Sequence, residues 1–131
     1  MTVYSSERLA GDTAGRSDLR ADPLRQVLGR IGDTWTILVI EALYDGPQRY
    51  TDLSRNITGI SQKMLTRTLR ALQRDGFVSR EVHAVVPPRV EYQLTELGQS
   101  LRAPIAALEE WSVRYRLDIL AARAEFDRES Q

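Results

Sequence analysis

Apolar residues recur three and four positions apart from Leu24 to Leu72, switch to every second position between Phe77 and Leu94, and return to helical spacing after Thr95. This order of periods predicts short helices, then a hairpin, then a long helix. Residues 1–21 mix Gly11 and Gly15 with serines, aspartates and arginines in no sustained period, and are expected to be a flexible N-terminal arm. Asp22 followed by Pro23 reads as an N-cap and a first helical residue, and Leu24, Val27, Leu28 and Ile31 carry that helix to Gly32. Asp33 caps a second helix, with Trp35, Leu38, Val39, Ala42 and Leu43 expected inward until Gly46 and Pro47 stop it. Tyr50 and Thr51 read as the hydrophobic staple and N-cap of a third helix, with Leu53 and Ile57 as its apolar residues and its end by Gly59.

The stretch Ser61 to Gly76 organises the rest. Ser61 is placed to cap a helix, and Gly76 to end it in the left-handed region. Met64, Leu65, Thr68, Leu69 and Leu72 fall on one side of the wheel; Gln62, Lys63, Thr66, Arg67, Arg70, Gln73 and Arg74 fall on the other. A solvated surface helix ordinarily mixes signs, whereas this polar face holds four cations and no carboxylate before Asp75. Like charges three and four apart repel, and Lys63 sits in the first turn, where the helix dipole disfavours a base. A docked polyanion reverses both penalties. Two compact helices joined by a Gly-containing turn, the second cationic outside, have the form of a helix-turn-helix.

The period of two then predicts strands over Phe77–Val82 and Val90–Leu94, with Pro87 and Pro88 stiffening the turn between them: a wing. His83, the chain's one histidine, lacks companions for a metal site or catalytic relay and reads as a solvated wing residue in preference to a phosphate contact. Arg80 is available either to phosphate or to Glu91 across the hairpin. Thr95 and Glu96 open the terminal helix, in which Pro104 is expected to make a kink. Its apolar residues, among them Leu101, Ile105, Leu108, Tyr115 and Ile119, exceed what a small domain can cover, and a homodimer seam is expected there. The expected architecture is mainly α with a small β-hairpin wing (α+β): an arm over 1–21, a winged helix-turn-helix over 22–95 and a dimerisation helix over 96–131.

The net charge of zero hides an asymmetry. Arg49 to Arg89 holds eight Lys or Arg against three acids, which leaves +5, and acidic flanks restore neutrality. That local excess marks double-stranded DNA as the partner. Ser61, Gln62, Lys63, Thr66, Arg67 and Arg70 are the candidate groove-reading residues. Arg49, Arg55, Arg80 and Arg89 are the candidate phosphate and wing contacts, with Arg89 alternatively reaching the minor groove. With no cysteine, one histidine and no glycine-rich phosphate loop, the chain offers an enzyme nothing to work with, and no cofactor or metal is expected. No apolar run approaches a membrane span, so a cytoplasmic protein is the default. The rival reading is a winged helix that binds protein in place of DNA.

Four blocks carry a family resemblance: Ile31-Gly32-Asp33-Thr34-Trp35-Thr36, Gly59-Ile60-Ser61-Gln62-Lys63-Met64-Leu65-Thr66, Asp75-Gly76-Phe77-Val78, and Pro87 to Thr95. In these the chain resembles the HxlR-type regulators, a bacterial branch of winged-helix transcription factors related to the MarR type, over about Asp22 to Trp111. The resemblance implies a homodimer assembled through terminal helices, binding a near-palindromic operator, usually as a repressor. Many members carry a cysteine just before the first helix's proline. Here that position is Asp22, so thiol sensing does not carry over and the input is expected to be a small-molecule effector or some other signal. Trp35, Tyr44, Trp111 and Tyr115 are either aromatic core or the lining of an effector pocket between the core and the dimer helix.

Overall fold

The computed structural model describes residues 22–130. Helices α1 (Pro23–Ile31), α2 (Thr34–Ala42), α3 (Tyr50–Asn56) and α4 (Gln62–Arg74) precede a hairpin of β2 (Val78–His83) and β3 (Arg89–Leu94). A two-residue strand, β1 (Gln48–Arg49), enters between α2 and α3, and a short α5 (Glu96–Gln99) leads to the long α6 (Arg102–Glu129). This is a winged helix-turn-helix carrying a long terminal helix, the expected fold class. The expected N-terminal arm lies outside the described residues. No helix among them is long and apolar enough to cross a membrane.

Local signals set the helix starts. The carboxylate of Asp22 accepts a hydrogen bond from the Leu24 amide, that of Asp33 from Trp35, and the hydroxyl of Ser61 from Met64. Arg49, in place of Thr51, stands at the cap of α3 and supplies no side-chain bond, because the residues before the helix are drawn into the sheet. β3 is the middle strand: β1 pairs with it through Gln48–Tyr92 and Arg49–Glu91, and β2 from Val78–Leu94 to His83–Arg89, all antiparallel.

The core is one cluster: Val39 and Ile40 of α2 with Leu43 at its C-cap, Leu53 of α3 with Ile57 after it, Leu65, Leu69 and Leu72 of α4, Phe77, Val78 and Leu94 at the wing, and Leu101 and Ile105. Helix α2 presents Thr36, Val39 and Ile40 inward, while Leu38, expected inside, is exposed. This helix is apolar nearly all round, so its period does not select a face. Two further corrections concern the terminal helix. Leu101 (8% exposed) and Ile105 (0%), expected at a dimer seam, are buried in the domain's own core. Pro104 makes no kink: the helix is already broken at Ser100 and Leu101, and Pro104 falls in the first turn of α6, where its missing N–H leaves no bond unmade.

One joint fixes the order of the second half. Gly76, at φ 83°, ends α4, with the Gly76 amide bonded to the Gln73 carbonyl and the Phe77 amide to that of Leu72, a Schellman closure. The Thr95 hydroxyl donates to the Gly76 carbonyl and accepts from the Gly98 amide, while the Thr95 amide donates to the Phe77 carbonyl. Gly98 lies so close that a Cβ built there would stand 2.1 Å from the Phe77 oxygen. Gly98→Ala should therefore force backbone apart and cost about 1–3 kcal/mol. Thermal unfolding checks this, and an unchanged midpoint would show the joint to be slack.

Candidate nucleic-acid interface

Leu65, Thr68, Leu69 and Leu72 turn one side of α4 into the core, and the other side is thereby forced outward. Gln62, Lys63, Thr66, Arg67 and Arg70 are exposed and, with Tyr50, line a single open groove. Among the described residues, Lys63, Arg67, Arg70 and Arg74 form no ion pair. Asp75, the acid that closes this stretch, is taken by Arg30 of α1, which also donates to the Ala71 carbonyl. The cationic face is thus left without counter-charge from the described residues.

Tyr50 was legible only as an apolar staple. Its hydroxyl donates to the Gln62 carbonyl (3.1 Å) and shares a bond with the Thr66 hydroxyl (2.9 Å), so it ties the start of α3 to the first turns of α4. The signal for that second role was its phenolic oxygen one helix ahead of a cap, which periodicity does not weigh. Thr66, Ser61 and Gln62 therefore each spend a polar atom on local structure, whereas Lys63, Arg67 and Arg70 keep their donors for a ligand.

The wing places its arginines unequally. Arg49 and Arg89 line a second groove, between the hairpin tip and the start of α3, which shares Tyr50 with the first. Arg55 projects from α3 with only a loose contact to Asp52 at 3.8 Å. Arg80 faces Tyr92 across the hairpin and so lies on the sheet face opposite Glu91, which excludes the Arg80–Glu91 pair weighed above. Glu91 is held instead by His83, Nε2 to Oε1 at 2.7 Å, and approached by Arg89 Nε at 3.9 Å. His83 is accordingly half-buried and engaged, not solvated.

The four aromatic residues expected to share an effector pocket are not brought together. The Trp35 ring lies against the Gly59 turn, and Tyr44 lies under the Arg102 guanidinium, 4.3 Å from its ring centre. Trp111 and Tyr115 pack on each other at 5.6 Å on the exposed side of α6. Among the described residues no cluster of His, Asp or Glu is fit to hold a metal.

A cationic helix face exposed beside a β hairpin, with no carboxylate to quench it, defines a winged helix-turn-helix DNA-binding regulator. The chain belongs to the HxlR-like helix-turn-helix family, which matches residues 30–119. It is 44% identical over 103 residues to the HTH-type transcriptional regulator YtfH of Escherichia coli K12, covering 79% of this chain and 82% of that one. The solved ytfH regulator of Salmonella typhimurium superposes with a TM-score of 0.67 at 43% identity, over 78% of this chain and 91% of the other. Reduced YodB of B. subtilis does so with 0.66 at 33%, over 72% and 92%. The protein is a transcriptional regulator and not an enzyme.

The joint between α2 and α6 carries a titrating pair. Burial, together with a hydrogen bond and charge from Glu109, pushes the Glu41 carboxyl above its ordinary 4.5. Burial and the same two carboxylates push the neighbouring Tyr44 phenol up, with Arg102 opposing. A carboxyl raised on folding contributes stability below its unfolded value and loses it as pH rises through the folded one. Glu41→Gln should therefore raise the melting temperature at pH 7 and lose that advantage near and below pH 4.5. A gain of equal size at both pH values would show that repulsion between the carboxylates is not its source.

Proposed function

We propose that this regulator acts as a homodimeric repressor in the cytoplasm and places α4 of each protomer in the major groove of a near-palindromic operator. The observation that carries this is the face of Lys63, Arg67 and Arg70, unpaired within the described residues and continuous through Tyr50 with the wing groove of Arg49 and Arg89. A helix meant for a protein partner gains nothing from four like charges that raise its own energy, whereas a duplex releases counterions on meeting them. Lys63, Arg67 and Arg70 read base edges; Ser61, Gln62 and Thr66 order the start of α4 and stand near the backbone. Arg49, Arg55 and Arg80 hold phosphates, and Arg89 holds a phosphate or reaches the minor groove. The DNA-binding unit runs from Asp22 to Ile105, beyond the boundary expected at 95, since Leu101 and Ile105 belong to its core.

Dimerisation is argued from surface. Beyond Ile105, α6 exposes Leu108, Trp111, Val113, Tyr115, Leu117, Leu120 and Phe126, and α1 exposes Leu24 and Leu28. Such an apolar spread on a small domain fits an isologous interface, with Leu108, Tyr115 and Ile119 retained from the expected seam. YodB is known in reduced and diamide-treated forms. This chain has no cysteine, so thiol oxidation is not its input. Control by a small apolar effector enters the reading only at Trp111 and Tyr115, which line a groove on α6 that a partner helix would deepen.

Mobility shifts on the DNA upstream of its own gene, run across a salt series, test the reading. Arg67→Ala and Arg70→Ala should each lose about 1–3 kcal/mol and relax selectivity at one position per half-site. Unchanged operator selectivity in both variants would remove α4 from the groove. In sedimentation the wild type should be dimeric at micromolar concentration. Leu117→Asp, at a position 76% exposed and so harmless to the fold, should give folded monomers that bind the operator poorly. A Leu117→Asp dimer would move the seam elsewhere.

A further inference from the structure

We infer that the wing tip, Ala84 to Pro88, is an apolar wedge that seats in the minor groove beside each half-site and selects A·T-rich flanking DNA. The inference rests on the DNA-binding reading above and adds a second, sequence-selective contact to it. Hairpin tips ordinarily consist of Gly, Pro, Asn, Asp or Ser. This one reads Ala84-Val85-Val86-Pro87-Pro88, without one polar side chain, and Val86 is 100% exposed and Val85 49%. At that exposure the Val86 side chain is not needed by the fold.

The backbone of the tip adds few donors, the amides of Ala84 and Val86. Pro87 and Pro88 have no N–H, and the Val85 amide is already bonded to the His83 carbonyl at 2.8 Å. Such a tip is ill suited to gripping phosphate oxygens, which need donors. Its apolar side chains suit the C–H surface of the sugars that wall the minor groove, over a floor that at A·T pairs carries one polar group fewer than at G·C. A G·C pair adds the guanine amino group to that floor, and packing Val86 over it would bury a donor with no acceptor to meet it. The two prolines also hold the loop rigid, so little conformational freedom is lost on insertion.

Charge and continuity name the occupant. Arg89 and Arg49 stand at the base of the tip, in the groove that shares Tyr50 with the α4 face, so a duplex lying on α4 continues onto the wing. The Arg89 Nε is buried 3.9 Å from Glu91 with no hydrogen-bond partner among the described residues, while the side chain as a whole stays 38% exposed. A narrow A·T minor groove concentrates negative potential and attracts an arginine placed beside it. The wedge and its neighbouring cation thus favour the same DNA for separate reasons.

The test uses the full chain and a duplex from the DNA upstream of its own gene, trimmed to the protected region, with the positions outside the half-sites made A·T, G·C or inosine·C. The last differs from G·C only by lacking the minor-groove amino group. Wild-type protein should bind A·T flanks about tenfold more tightly than G·C, with inosine·C restored to the A·T level. Val86→Ser should bind all three alike with an unchanged salt slope, because no phosphate contact is lost. Equal wild-type affinity for G·C and inosine·C flanks, or full discrimination retained by Val86→Ser, would overturn the wedge while leaving DNA binding by α4 intact. Wild-type protein that shifts none of the three duplexes would overturn the DNA-binding reading itself, and the wedge with it.

Discussion

The packing of α4 on α2 is the contact on which the rest of the molecule depends. Leu65, Leu69 and Leu72 are almost wholly withdrawn from water in one cluster with Val39, Ile40 and Leu43. At about 25 cal/mol per Å² of apolar surface, this burial outweighs by several-fold the repulsion among four solvated cations on the far side of the same helix. The helix can therefore carry an electrostatically unfavourable face because its other face is strongly bound. Function here is built on an amphipathic surplus: the apolar side fixes position and rotation, and the cationic side is left aimed outward.

A second joint transmits that orientation to the wing and to α6. The Schellman closure at Gly76 turns the chain sharply out of α4, and Thr95 ties the end of β3 back to the same turn through Gly76 and Phe77. Gly98 then brings α5 against the Phe77 backbone. The end of α4, both strands of the wing and the entry to the long helix thus meet within a few residues. Burial of Leu101 and Ile105 extends the same rigid unit into α6, and the Tyr44–Arg102 contact braces it from α2. A displacement of α6 would reach α4 through packed side chains and not through a flexible linker.

Much of this was legible because it is local. Caps at Asp22, Asp33 and Ser61, the stop at Gly76, the two faces of α4 and the period-two strands follow from neighbours within a turn or a pair. What was missed is tertiary. β1 is two residues long and exists only because β3 offers an edge. The inward face of α2 is chosen by α4, since Trp35-Thr36-Ile37-Leu38-Val39-Ile40 gives no period to choose by. Leu101 and Ile105 carry the same spacing as Leu108 and Tyr115, and only the approach of the winged core separates the first pair from the second. His83 and Glu91 meet on a diagonal of the hairpin, and that diagonal depends on register.

Overall neutrality does not weaken the DNA-binding reading, because charge acts over a screened distance. The screening length at physiological salt is about 8 Å, whereas a helix as long as α6 extends roughly 40 Å at 1.5 Å per residue. Asp118, Glu125, Asp127 and Glu129 lie in its distal half, several screening lengths from the start of the helix at the winged core. Glu91, the acid nearest the wing cations, is held by a hydrogen bond with His83, and Asp75 is paired with Arg30. A duplex at the α4 face therefore meets the local excess of cations. Of the acids near that excess, Asp75 and Glu91 are engaged by Arg30 and His83, and those in the distal half of α6, which Arg116, Arg123 and Arg128 largely offset, lie several screening lengths from the winged core.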